Sequence, residues 1–191
     1  MIEQHWSDPS AIRKYQGIIG ALSEGEAKRV GVRAVNHAGA KTKTQVVRAL
    51  TKQTGLKRPL IVKAVRARKA NYGDIAYSMR TRGGDVSLKY FKPKEVRGGL
   101  TASPFGKRKM FDNHFMTSGL PGRRFSVLRL NGQVFEANTA TSSWGRPMSK
   151  ADSGVVIPAE MVKGATADAF HRTSGPALEA RLEHELSRAL L

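Results

Sequence analysis

The run of residues 26–58 constrains the fold of this chain more than any other segment. Small or apolar residues recur there with the 3.6-residue period of an α-helix, at Ala27, Val30, Ala34, Ala38, Val46 and Leu50. Ser23 and Glu26 form a capping box at the start, and Gly55 stops the helix. The sequence therefore predicts one long helix that buries a narrow stripe of its surface.

The rest of this helix is strongly basic, with no acidic residue between Glu26 and Asp74. The whole chain of 191 residues carries a formal net charge of +18, which points to acidic partners such as nucleic acid, an acidic protein or membrane headgroups. Residues 28–109 hold 22 Lys and Arg against three acids, whereas residues 151–191 hold four against six. Head-to-tail contact between copies is therefore electrostatically plausible.

Composition excludes several classes of protein. The chain has no cysteine, so a disulfide framework, a zinc-thiolate site and a cysteine nucleophile are impossible. Its first residues lack the pattern of a signal peptide, and no apolar run approaches the roughly 18 residues that span a bilayer. We expect no contact with a membrane.

The remaining elements predict an α+β fold with long N-terminal helices, a central antiparallel β-sheet and a C-terminal helix. Residues 1–25 are expected to form a helical arm, with a helix from Pro9 or Ala11 to about Leu22, and residues 26–191 a single α+β domain. A short basic helix is predicted from Arg58 to Lys69. The helical tail is predicted from Ala159 to Leu191, interrupted at residues 174–176, with Leu178, Leu182, Leu186 and Leu190 on its apolar face.

Between these helices the period changes to that of β-strands. Residues 75–79 and 86–91 alternate about a turn at Arg82–Asp85, which predicts a hairpin. Further strands are predicted at residues 100–103, 125–130 and 133–137, with a tight turn at Asn131–Gly132 between the last two. Residues 103–109 are expected to form a basic hairpin tip, and residues 138–153 a polar loop or arm.

A series of short motifs occurs in a characteristic order along the chain: A-V-N-H-A-G at 34–39, T-K-Q-T-G-L-K-R at 51–58, G-G-D-V-S-L-K-Y-F at 83–91, R-G-G-L-T-A at 97–102, the spacing of Phe111 and Phe115, and I-P-A-E-M-V at 157–162. This ordered series resembles the prophage minor tail protein Z family of long-tailed phages. It differs where Glu136-Ala137 stands in place of a basic residue.

The resemblance implies a structural protein of the virion and no catalysis. Proteins of that family complete the tail at its head-proximal end, where it joins the neck and head around the DNA channel. The resemblance further implies a homo-oligomeric ring of about six copies, other phage tail and neck proteins as partners, contact with the DNA end, and no cofactor.

Two groups of residues are candidate contact sites. The first would meet DNA or an acidic partner, although a merely solvated basic face explains the same charges. The second would lie between subunits, although packing against the chain's own core explains the same side chains. The first group is Lys41, Lys43, Arg48, Lys52, Lys107, Arg108 and Lys109, and the second is Trp144, Met148, Leu182 and Leu186.

Signals for catalysis are weak. The five histidines show no metal-ligand spacing, and no glycine-rich stretch has the order of a phosphate-binding loop. One alternative is a metal-dependent phosphoesterase that uses Asp74, Asp85 or Asp112. Another is a basic nucleic-acid-binding protein that acts alone. We expect no catalytic, cofactor-binding or metal-binding residues.

Overall fold

The computed structural model of the chain describes residues 2–5, 23–116, 119–120, 123–124, 132–137 and 148–190. Over these residues a long helix near the amino terminus is followed by several small antiparallel sheets and by a long carboxyl-terminal helix. The predicted α+β class is therefore confirmed. The strands are divided among separate small sheets of two or three strands each.

The long helix α1 spans Glu24–Thr54. Its capping box is formed as predicted: the Ser23 hydroxyl lies 2.8 Å from the Glu26 carboxylate, which also accepts a bond from the Ser23 amide at 3.3 Å. At the other end Gly55 has a φ of +76°, a left-handed conformation that favours glycine after a helix. The predicted stripe is confirmed at Val30, Ala34, Ala38, Val46 and Leu50, which are all buried, whereas Ala27 in the first turn is only half-buried.

The second helix, α2, covers only Arg58–Ala64, and Arg66–Arg68 form strand β2. The predicted helix to Lys69 is therefore wrong in its last part. Strand β2 pairs with strand β3, Ser78–Thr81. Just after β2, the side chain of Asn36 accepts a hydrogen bond from the amide of Ala70 at 2.8 Å and donates one to its carbonyl at 3.0 Å. These distant partners override the local helical pattern.

The predicted hairpin of residues 75–91 is also wrong. Strand β3 lies between β1, Ile2–His5, and β2, whereas β4, Asp85–Ser87, pairs with β13, Asp152–Val156. Residues Leu88–Phe91 form a 3₁₀ turn.

One carboxylate explains much of the β4–β13 pairing. Asp85 accepts bonds from the amides of Ser153 and Gly154 at 2.9–3.0 Å and from the Ser153 hydroxyl at 3.2 Å. Gly154 has a φ of +77°, and the register shifts at this point of the strand. The turn residues at 82–85 therefore lead into a different sheet instead of closing a hairpin.

The remaining strands are β5 Lys94–Val96, β6 Gly99–Ala102, β7 Lys109–Asp112, β8 His114–Phe115, β9 Gly119–Leu120, β10 Arg123–Arg124, β11 Phe135–Ala137 and β12 Met148–Lys150. They form three antiparallel sheets, with orders β5-β6-β7, β12-β11-β8 and β10-β9. The strands predicted at residues 100–103 and 133–137 correspond to β6 and β11.

The loop predicted at residues 138–153 is wrong for residues 148–150 and 152–153, which lie in strands β12 and β13. The rest of that loop, residues 138–147, is outside the described residues. The strand predicted at residues 125–130, Asn131 of the predicted turn and the helix predicted from Pro9 or Ala11 to about Leu22 are outside them as well. Residues 2–5 of the predicted helical arm form strand β1.

The carboxyl-terminal part consists of α3, Ile157–Met161, and α4, Gly164–Ala189. The interruption predicted at residues 174–176 is wrong, because α4 runs through Pro176. Pro176 has no N–H group, so the carbonyl of Arg172 lacks its helical hydrogen bond. Because Arg172 and Pro176 are both exposed, water can bind that carbonyl instead. Burial of Ser174, Ala177 and Leu178 keeps the helix packed on both sides of the proline.

The described elements divide into two compact units. The first contains β1, α1 as far as Leu50, residues 58–82 and the helices from Pro158 onward. The second contains residues 51–57 and 83–157. A domain is defined as a part of the chain that can fold alone, and a compact unit does not have to do so. The single domain expected over residues 26–191 therefore stays a prediction.

Candidate nucleic-acid interface

The exposed cations of α1 form a row along one side of the helix. Lys41, Arg48 and Lys52 are exposed, and their spacings of seven and four residues return to the same face. Lys43 is half-buried and lies two residues from Lys41, which places it about 200° around the helix. Three of the four predicted contact residues on α1 therefore share one face, and Lys43 does not.

The second set of predicted cations lies at the turn between β6 and β7. Ala102 pairs with Lys109 at the end of this hairpin where the turn begins, and Pro104–Gly106 form a 3₁₀ turn between them. Lys107, Arg108 and Lys109 are all exposed. The guanidinium of Arg108 donates to the hydroxyl of Thr101 at 2.7 and 3.2 Å, so Arg108 is oriented across the sheet. The basic tip expected at residues 103–109 is confirmed.

The end of α1 packs directly against this tip. A Cβ atom placed on Gly55 would lie 2.6 Å from the amide nitrogen of Gly106 and 3.1 Å from the carbonyl oxygen of Ser103. Lys52 and Lys57 are exposed and flank Gly55, and Lys107 follows Gly106, so their Cα atoms lie within roughly 17 Å of one another. We call Lys52, Lys57, Lys107, Arg108 and Lys109 the junction patch.

The two acidic residues of the same sheet lie away from the turn that carries the patch. Asp112 pairs with Gly99 at the opposite end of the sheet, and Glu95 pairs with Leu100 in the middle, whereas the turn follows Ala102. Glu95 is further engaged by the amide of Met116 at 2.6 Å. Among the described residues no ion pair involves Lys52, Lys57, Lys107 or Lys109. The junction patch is therefore a concentration of exposed positive charge.

An aromatic side chain stands inside the patch. Phe105 is 38% exposed and has φ 55° and ψ 25°, the left-handed region that side chains other than glycine and asparagine rarely adopt. Sequence reasoning missed both Phe105 and Lys57. Lys57 could have been noticed because it follows Gly55, which ends the helix. However, no local sequence pattern predicts that Gly55 contacts residues 103–106.

The residues predicted to lie at a subunit interface differ in how exposed they are. Met148 lies on β12 and is 63% exposed. Leu182 and Leu186 are buried in the chain's own core on α4, so contact with a second copy would require that core to open. Trp144 is outside the described residues. An interface role for these side chains stays a prediction.

Two of the three acids considered for catalysis are engaged elsewhere, and the third, Asp112, is exposed on β7. Asp74 lies 3.2 Å from the guanidinium of Arg68, and Asp85 holds the backbone of β13. Within the described ranges, no group of three or more His, Asp or Glu side chains is arranged to hold a metal ion.

The first unit contains an apolar cleft of about 320 Å³ between α1 and α4. Its walls include Ala27, Val30, Leu178 and Leu182, and its rim carries Glu24 paired with Lys28. Apart from Glu24 and Lys28, the described residues that line this cleft are apolar or glycine. No helix in that part is both long and apolar enough to span a bilayer.

No protein-family model, curated protein or solved structure matches this chain.

Proposed function

We propose that this chain is a structural protein of a phage virion, which completes the head-proximal end of the tail and joins it to the neck around the DNA channel. The observation that carries the proposal is the junction patch, an exposed cationic surface suited to phosphate groups or to an acidic neighbouring protein. The ordered motifs at residues 34–39, 51–58, 83–91, 97–102 and 157–162 supply the resemblance to the tail protein family.

In this proposal the protein acts as a repeated subunit of a homo-oligomeric ring. A closed ring requires one face of a subunit to fit a different face of the next. The excess of bases over residues 28–109 and the slight excess of acids over residues 151–191 provide unlike surfaces for such contacts. Many modest contacts repeated by symmetry would make assembly cooperative without a deep binding pocket. The partners are other tail and neck proteins and the DNA end, and the location is the virion.

Particle assembly tests the proposal directly. Tails made without this protein should fail to give infectious particles with correctly placed DNA, and purified protein should bind the tail terminus. Electron microscopy of labelled protein should locate it at that terminus. Protein scattered along the tube or enclosed in the capsid would contradict the proposal.

A charge-matched pair of variants tests the patch itself. The double variant Lys107→Glu and Lys109→Glu reverses two exposed charges of the patch and should lower the yield of infectious particles. Lys63→Glu with Lys69→Glu makes the same change in net charge at two exposed lysines of the first unit. Equal yields of infectious particles from the two double variants would show that the junction patch has no specific role in assembly.

The cationic row on α1 favours a second candidate, a basic nucleic-acid-binding protein that acts alone. Such a protein should bind DNA or RNA tightly as a monomer, and the logarithm of its affinity should fall steeply with the logarithm of salt concentration. Sedimentation of the protein with and without DNA separates the two candidates, because only the tail protein should assemble into a ring.

A further inference from the structure

We infer that Phe105 is a base-stacking residue and that the junction patch binds single-stranded nucleic acid in preference to duplex. The inference rests on the proposed function in taking the patch as a surface that faces nucleic acid. It adds the class of ligand and the residue that selects it.

The conformation of Phe105 is the first support. A left-handed backbone is disfavoured for a bulky L-residue, and glycine would adopt it without strain. The side chain does not compensate by complete burial, since 38% of the residue remains exposed. Neighbouring Pro104 is buried and Gly106 also has a positive φ of 72°, so the turn fixes the aromatic residue at the surface. Strained residues of this kind concentrate at binding sites.

The charges around Phe105 are the second support. Lys107, Arg108 and Lys109 follow it along the chain, and the contact of Gly55 with Gly106 brings Lys52 and Lys57 to the same turn. Proteins that bind single strands combine such cations, which contact the phosphates, with aromatic rings on which bases stack. The junction patch contains both components on one surface.

The aromatic component distinguishes this ligand from the alternatives. An acidic protein could satisfy the five cations, but it would not require an exposed ring among them. The bases of a duplex are already stacked on each other, so an aromatic ring gains less from them than from the free base faces of a single strand.

Fluorescence anisotropy with a labelled single-stranded DNA of mixed sequence and its duplex tests the inference. Phe105→Ala should weaken single-strand binding about 5- to 100-fold and change duplex binding by less than about twofold. Phe105→Tyr keeps the ring and should retain binding. Tyr72→Ala removes an aromatic residue that is 61% exposed elsewhere and should leave both affinities unchanged.

Phe105→Gly separates binding from folding. It removes the ring and relieves the left-handed backbone, so the protein should be more stable than Phe105→Ala while single-strand affinity falls to the same extent. Single-strand affinity that is unchanged in both variants would overturn the inference. Equal losses for single strand and duplex, or equally tight binding of a polyglutamate peptide by the unmodified protein, would overturn it as well.

The outcome is distinguishable from a failure of the proposed function. If binding depends on Phe105 but the protein is absent from the tail terminus, the proposed virion role is wrong and the stacking role of Phe105 is supported. If the protein lies at the terminus and Phe105→Ala binds single strands normally, the stacking role is wrong and the virion role is supported.

Discussion

The guanidinium of Arg33 on α1 lies 3.6 Å from the carboxylate of Glu185 on α4. The Glu185 side chain is only 2% exposed and also lies 2.5 Å from Arg181, one helical turn earlier. The acid is thus buried between two arginines that come from two helices far apart in the sequence. The pairing links α1 to α4 beside the core leucines Leu182 and Leu186.

The two partners of this contact should differ in their effect on stability. Glu185→Ala removes the acid and leaves Arg181, 30% exposed, without its partner, which should cost about 3 kcal/mol. Arg33 is 53% exposed and its charge is largely screened by water, so Arg33→Ala should cost less than about 1 kcal/mol. Urea unfolding of both variants measures the difference, and equal losses would show that the burial of Glu185 does not control the pair.

Two glycines of α1 form a matched pair for packing. A Cβ atom on Gly39 would lie 2.3 Å from the ring of buried Tyr77, so Gly39→Ala should destabilise the protein by about 2–3 kcal/mol or more. A Cβ atom on Gly31 would make an ordinary contact at 3.5 Å with Ile75, so Gly31→Ala should be neutral or stabilise by up to about 1 kcal/mol. Thermal unfolding compares them, and a neutral Gly39→Ala would mean that Tyr77 moves freely.

Gly55 connects fold and site, since it ends α1 and touches the turn that carries the junction patch. Gly55→Ala combines a left-handed backbone with a contact of 2.6 Å to the Gly106 amide, and should cost about 2–4 kcal/mol. Gly25→Ala in the first turn of α1, where nothing lies within 4 Å of the added Cβ atom, is the control. If folded Gly55→Ala protein retained full nucleic-acid affinity, the contact would not be needed to build the patch.

The capping box should make stability depend on acid. Hydrogen bonds from the Ser23 hydroxyl and amide lower the pKa of Glu26 below its ordinary value of 4.5. Because the folded-state pKa is the lower one, this contribution is present above pH 4.5 and is lost as pH falls through the folded-state value. Glu26→Gln and Ser23→Ala should both flatten the acid side of the stability curve, measured by urea midpoints from pH 6 to about pH 3. An unchanged acid limb in both variants would contradict the assignment.

Features that depend on neighbouring residues in the chain were predictable. The start of α1 follows from a reciprocal contact between Ser23 and Glu26, three residues apart, and its end from Gly55. Its buried stripe follows from helical period alone. The basic tip at residues 103–109 was predictable for the same reason, since a turn between two short strands is a local structure.

Strand partners and the candidate site depended on contacts between distant residues. Asp85 looks like a turn residue in sequence but binds the backbone of Ser153 and Gly154, and Arg66–Arg68 look helical but pair with β3. Packing carries α4 through Pro176, which local rules treat as a break. The sequence by itself determined where the long basic helix lies and how much charge it carries. Only the tertiary structure decided that Gly55 meets Gly106 and gathers separated cations around Phe105, because such contacts arise from burial and close packing between segments that no local pattern relates.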